Sequence, residues 1–91
     1  MTRRKAFLGN PWGITESEAQ VLVRLPDYGR QEIAAQLQVS LSTIQSHMRA
    51  AFERMQAQRS EQVCVYWDRW WQNWQQANPQ SAIEAREQLG L

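Results

Sequence analysis

The apolar positions between Arg30 and Met55 fall into two helical stripes separated by a break. A short stripe carries Ile33, Ala34 and Leu37, and Gln38-Val39-Ser40 interrupts it. A longer helix then begins near Leu41, with Ile44, Met48, Ala51 and Met55 at spacings of four, three and four along one face. Ser42, Gln45, Ser46, Arg49 and Glu53 fall on the opposite face, which is polar, small near its start and punctuated by a single arginine. The pattern predicts a helix-turn-helix, and a face of this kind fits a DNA major groove.

Upstream, Thr15 followed three residues later by Glu18 forms a capping-box pattern, and Val21, Leu22 and Leu25 continue as an apolar stripe. Pro26 disfavours helical geometry at Leu25, and Asp27-Tyr28-Gly29 supplies turn chemistry, so this scaffold helix is predicted to end at about Leu25. The stretch before it, MTRRKAFLGNPWG, lacks periodicity and carries Gly9, Pro11 and Gly13. It is predicted to be a flexible basic arm over residues 1–13, whose cations either follow a phosphate backbone or serve only solubility, with Trp12 folded back on the domain.

Downstream, Val63, Trp67, Trp70 and Trp74 again follow at four, three and four, with Cys64, Tyr66 and Trp71 widening the face and Asp68, Arg69 and Gln72 opposite. Four of the five tryptophans therefore sit on one predicted helix, from Ser60 to about Gln76. Three fates compete for this surplus apolar face. It can meet a second copy of the chain through Val63, Trp67, Trp70, Trp71 and Trp74; it can pack onto the chain's own first helix and C-terminal segment; or its indoles can stack on single-stranded bases. Asn78-Pro79 is a break and restart, and Ser81 to Leu89 predicts a short fifth helix in which Ile83 and Leu89 cover the tryptophans and Gly90 is the stop.

Ninety-one residues with 43% hydrophobic content allow one small core. No span approaches the roughly 20 apolar residues of a membrane helix, no signal-peptide pattern stands at the start, and a lone Cys64 excludes an internal disulfide; a cytoplasmic setting is expected. The net charge of +1 conceals segregation. Residues 1–13 carry Arg3, Arg4 and Lys5 without an acid, and residues 39–59 carry Arg49, Arg54 and Arg59 against Glu53, whereas residues 14–38 and 60–91 are each net acidic. His47 has no second histidine or cysteine at ligand spacing, no glycine-rich phosphate loop exists and no catalytic set emerges. The chain is therefore expected to be no enzyme and to use no metal or cofactor.

From Ile14 to Val63 the chain resembles the LuxR/GerE type of bacterial helix-turn-helix domain. The matching residues are Ile14-Thr15, Glu18, Val21-Leu22, Leu25, Gly29 and Gln31-Glu32-Ile33-Ala34, then Leu37, Val39-Ser40, Thr43-Ile44, His47 and Arg59-Ser60-Glu61-Gln62-Val63. Three features depart from the usual pattern. Gln38 stands where many such turns have glycine, Gln31 and Gln45 stand where the family often has lysine, and the segment between Met55 and Arg59 is about one residue short. Thr43-Ile44-Gln45-Ser46 with Ala51-Phe52-Glu53-Arg54-Met55 is also similar to the promoter-reading domain of bacterial sigma factors. Both resemblances imply duplex DNA binding in transcription.

The resemblance implies an all-α fold, a compact helical domain without a wing and with four family helices, here extended by a tryptophan-rich fourth helix and a short C-terminal one. Residues 14–63 would be the DNA-binding domain, and residues 60–91 a dimerisation or core-completing segment. Within the motif, Ser40 is placed to cap the recognition helix. Thr43 and His47 correspond to positions near phosphates, and Ser42, Gln45, Ser46 and Arg49 face outward toward base edges, with Arg30, Gln31 and Arg54 completing the candidate DNA-binding set. The expected protein is a stand-alone, sequence-specific regulator of bacterial or phage origin, homodimeric on an inverted repeat. The rivals are an antiactivator or adaptor that binds another transcription regulator, and a DNA-binding accessory factor of a mobile element.

Overall fold

The computed structural model describes residues 6–91, the side chain of Ser60 excepted. Arg3, Arg4 and Lys5 of the expected basic arm lie outside the described residues. The remainder of that arm is not the flexible segment expected. Phe7–Gly9 forms a short 3-10 turn, and the backbone NH of Phe7 donates to the carbonyl of Ile14 at 2.7 Å. Asn10 is buried inside the loop so formed: its amide donates to the carbonyls of Phe7 at 2.9 Å and Ile14 at 2.8 Å, and its oxygen accepts from the NH groups of Trp12 and Ile14. One side chain thus satisfies backbone groups that burial would otherwise leave unpaired. Phe7 is buried against Trp71, and Trp12 folds back onto Trp67 and Trp70 as expected.

Five helices follow: α1 (Glu16–Leu22), α2 (Arg30–Leu37), α3 (Leu41–Met55), α4 (Ser60–Ala77) and α5 (Pro79–Gln88). The capping box at α1 is formed in both directions, with Thr15 Oγ1 accepting from the NH of Glu18 at 3.3 Å and Glu18 Oε1 accepting from the NH of Thr15 at 3.0 Å. Regular helix stops at Leu22, short of Leu25, and hydrogen-bonded turns carry the chain to Tyr28. Helices α2 and α3 end alike. At each, a glutamine takes the left-handed conformation, Gln38 at φ 56° and Gln56 at φ 53°. The following NH reaches back five residues, Val39 to the Ala34 carbonyl and Ala57 to the Phe52 carbonyl, both at 3.0 Å. The side-chain oxygen of Gln62 then accepts from the NH groups of Gln58 and Arg59 at the start of α4.

The buried side chains form two clusters. Val21, Ile33, Ala34, Ile44 and Met48 knit α1, α2 and α3 together. A larger cluster joins Phe7, Ile14, Ala19, Leu22, Ala51 and Met55 to Val63, Trp67 and Trp71 of α4 and to Ala85 and Leu89 at the C-terminal end. Leu25 and Phe52 touch both. This placement corrects the expected dimer face: Val63, Trp67 and Trp71 are buried within their own chain, because one helical face cannot fill the monomer's core and meet a second copy. Trp70 and Trp74 remain half-buried, and the Trp71 and Trp74 rings lie nearly parallel at 5.8 Å. In α5 the buried residues are Ala82 and Ala85, with Leu89 buried just past its end and Ile83 exposed, so the cover over the tryptophans is made mainly of small side chains.

Two arginines are built into this frame. Arg24 is buried, with Nε donating to the side chain of Gln36 at 3.3 Å and its terminal nitrogens donating to the carbonyls of Gln20 and Leu89, both at 2.7 Å. Leu89 follows the last residue of α5 and Gln20 lies in the last turn of α1, so the guanidinium sits where both helix dipoles end negative. Arg54 pairs with Glu18, whose side chain is 1% exposed. One buried donor stays unmatched among the described residues, the indole NH of Trp67, a cost of about 1 to 3 kcal/mol that packing of the large ring must offset.

Candidate nucleic-acid interface

The long recognition helix exists because one of its faces is buried and its start is capped. Ile44, Met48, Ala51 and Met55 supply the buried face, as their spacing predicts. Ser40 supplies the cap: its hydroxyl accepts from the NH of Thr43 at 3.2 Å and lies 3.0 Å from the hydroxyl of Ser42 and 2.9 Å from that of Thr43. Three hydroxyls thus cluster at the positive end of the α3 dipole, an arrangement hospitable to an anionic oxygen.

Burial of one face obliges the opposite one to face water. Ser42, Gln45, Ser46, Arg49 and Glu53 are all exposed. Thr43 and His47 lie on the half-buried flank. Arg30 and Gln31, in the first turn of α2, come up beside this surface. Arg30, Gln31 and Gln45 border a depression of about 420 Å³, and Arg30, Gln45 and Arg49 border a second of about 660 Å³, so the two hollows share Arg30 and Gln45. The side chains of Arg30, Gln45 and Arg49 have no hydrogen-bond or ion-pair partner among the described residues, which leaves their donors free for a ligand.

Arg54 leaves this set. Expected to reach DNA, it turns instead toward α1 and neutralises Glu18, because a buried carboxylate needs its cation more than solvent does. Arg59 is exposed at the α3 to α4 turn and joins Arg30 and Arg49 as a cation available to a partner. Periodicity sets Arg54 on the flank shared with Thr43 and His47, a signal of position and not of its partner. The burial of Glu18, hidden inside an ordinary capping box, carries no such sequence signal.

Elsewhere the chemistry is sparse. Burial, and secondarily the charge of Asp68, push the pKa of the Cys64 thiol up. Among the described residues no three His, Cys, Asp or Glu side chains converge as metal ligands would, and no helix is long and apolar enough to cross a membrane.

Comparison with known families gives a match to the bacterial regulatory proteins of the luxR family, the GerE domain, over residues 13–67. The match begins just before the α1 cap, takes in the whole helix-turn-helix and ends within α4 at Trp67. No match emerges from comparison with curated proteins or with solved structures. Covering more than half of the chain, from the residues that build its capped α1 through those that bury α4, the match establishes that this protein belongs to the luxR family of bacterial regulatory proteins, DNA-binding regulators of transcription.

Proposed function

We propose that the protein reads a specific duplex sequence by placing α3 in the major groove, and that it does so as a homodimer on an inverted repeat. The observation that carries the first half is the pairing of Gln45 and Arg49, exposed and unpartnered on one stripe of a helix held rigidly by its other side. Glutamine suits adenine and arginine suits guanine, each through two hydrogen bonds. Ser42 and Ser46 extend the stripe, Thr43 and His47 approach phosphates from its flank, and Arg30 and Gln31 contact the backbone from the first turn of α2. In this reading residues 14–63 are the DNA-binding unit, and residues 60–91 complete its core and present the dimer contact. That contact would be Tyr66, Trp70 and Trp74, which follow at spacings of four and remain at least partly exposed beside the buried stripe.

The test is a titration of the full chain and of Arg49→Ala against a duplex selected from random sequence and against its scrambled counterpart, at several salt concentrations. Arg49→Ala is expected to cost about 1 to 3 kcal/mol on the selected site and to relax preference at one position per half-site. Each phosphate-neutralising cation lost should flatten the salt slope by about 0.9. Half-sites should lie about 10 base pairs apart, or a multiple of that, centre to centre. Affinity no better than millimolar for either duplex at low salt overturns the reading and favours an adaptor that binds another regulator, a role consistent with glutamine at positions 31 and 45. A chain that sediments as a monomer at tens of micromolar and on DNA overturns the dimer.

A further inference from the structure

The larger depression beside α3 has a property that reading DNA does not use. Its floor is apolar, made by Met48, Phe52 and Ala57, while Arg30 and Arg49 stand at its edge. Base edges and phosphates present to this face only one apolar group, the thymine methyl, which a polar stripe can meet without such a floor. At about 660 Å³ the hollow has the volume of a ligand pocket, but it is shallow and open, unable to close around a small molecule as pockets of that size do. Among the described residues Phe52 is the one aromatic side chain that reaches both core clusters, so the floor is fixed from beneath and its partial exposure is not a matter of loose packing.

We infer that this hollow docks a segment of a partner protein in which one bulky apolar side chain is flanked by carboxylates. The apolar side chain would cover Met48, Phe52 and Ala57, and the carboxylates would take the free guanidiniums of Arg30 and Arg49, each able to bind a carboxylate through two parallel hydrogen bonds. Glu53, on the same rim, repels a carboxylate and so sets the direction in which the segment lies. Because Gln45 and Arg49 border the hollow and also form the reading stripe, an occupied hollow excludes DNA. That exclusion rests on the DNA reading proposed above, whereas the docking itself does not.

The experiment is selection of a phage-displayed random dodecapeptide library on the full chain, followed by titration of the enriched peptides. The expected consensus is a leucine, phenylalanine or tryptophan bracketed by aspartate or glutamate. Gln58 is exposed and borders the hollow, so Gln58→Glu keeps the fold and should weaken the peptides by about two- to fivefold through like-charge repulsion. Phe52→Ala should weaken them about tenfold or more by removing most of the apolar floor, with circular dichroism to show that the chain remains folded. If that variant unfolds, Gln58→Glu and Arg30→Ala decide. Failure to enrich any peptide, a consensus without acids, or affinities unchanged in Gln58→Glu overturns the inference. Peptides that bind as expected while no duplex does would sustain the docking site and defeat the DNA reading; a duplex bound with no peptide enriched would do the reverse. With both bound, the selected peptide should displace the duplex.

Discussion

The two buried clusters are made of different material. Beneath α2 and the first half of α3 lie one alanine and four side chains of moderate size, Val21, Ile33, Ile44 and Met48. On the other side stand Phe7, Trp67 and Trp71, with Trp12, Trp70 and Trp74 packed against them. Fully burying one aliphatic side chain stabilises by about 1.5 to 3 kcal/mol, and an indole removes more surface from water than any of them. The helix-turn-helix therefore depends on a heavier aromatic cluster behind it, to which Ala51 and Met55 connect it through the second half of α3. The exposed polar stripe and the anchoring face are divided between opposite sides of one helix.

The comparison is broken most directly by removing an anchor. Trp67→Ala is expected to cost about 3 to 5 kcal/mol and, in so small a domain, to abolish cooperative unfolding, whereas Ile33→Val in the smaller cluster should cost about 0.5 to 1.5. Urea titrations of the two variants give the ratio, and equal losses would show that the aromatic cluster carries no special weight. Next in size is Arg54→Met, which takes one charged partner away from the buried Glu18. A loss of about 2 to 4 kcal/mol is expected, below the full penalty for a buried pair because 26% of the Arg54 side chain is exposed. The same variant should leave sequence preference on DNA unaltered, which would separate Arg54 as an anchor from Arg49 in the reading role proposed for it.

Backbone changes have smaller effects, of opposite sign. Gly90 has φ +76°, and a methyl group there would stand 2.9 Å from a guanidinium nitrogen of Arg24. Gly90→Ala should therefore lower stability by about 1 to 2 kcal/mol, seen as a fall in Tm, since alanine is strained in this conformation and the arginine is held in place. Gln38→Gly and Gln56→Gly should do the reverse or nothing, each giving about 0 to 1 kcal/mol, because glycine takes the left-handed helix end without strain. A clear loss at either glutamine would mean that its side chain holds the turn by some other contact.

Much of this was legible in the sequence wherever a local rule and the tertiary demand agreed. The Thr15 to Glu18 box, the Ser40 cap, the left-handed turn at Gln38 and the buried stripe from Ile44 to Met55 are all set within four or five residues, and all stand where the pattern put them. What periodicity could not decide was which neighbour an apolar face would meet. The tryptophan helix carried the same stripe whether it faced a second copy or its own chain, and the answer depended on residues 7–14, whose packing is organised by one asparagine and has no period. The candidate site was legible to the same extent. Exposure of Gln45 and Arg49 followed from the stripe opposite them, but the withdrawal of Arg54 depended on a carboxylate thirty-six residues away, beyond the reach of any spacing rule.

The contact between Arg24 and the Leu89 carbonyl sets a clock on biosynthesis. Sixty-five residues separate donor from acceptor. At cellular elongation rates that interval lasts about 3 to 13 s, and α2, α3 and α4 are all completed within it while the guanidinium is short of one acceptor. The native seat of Arg24 is therefore completed only once residue 89 has been made. A chain cut short before residue 89 lacks the Leu89 carbonyl and leaves that donor of Arg24 without its native acceptor.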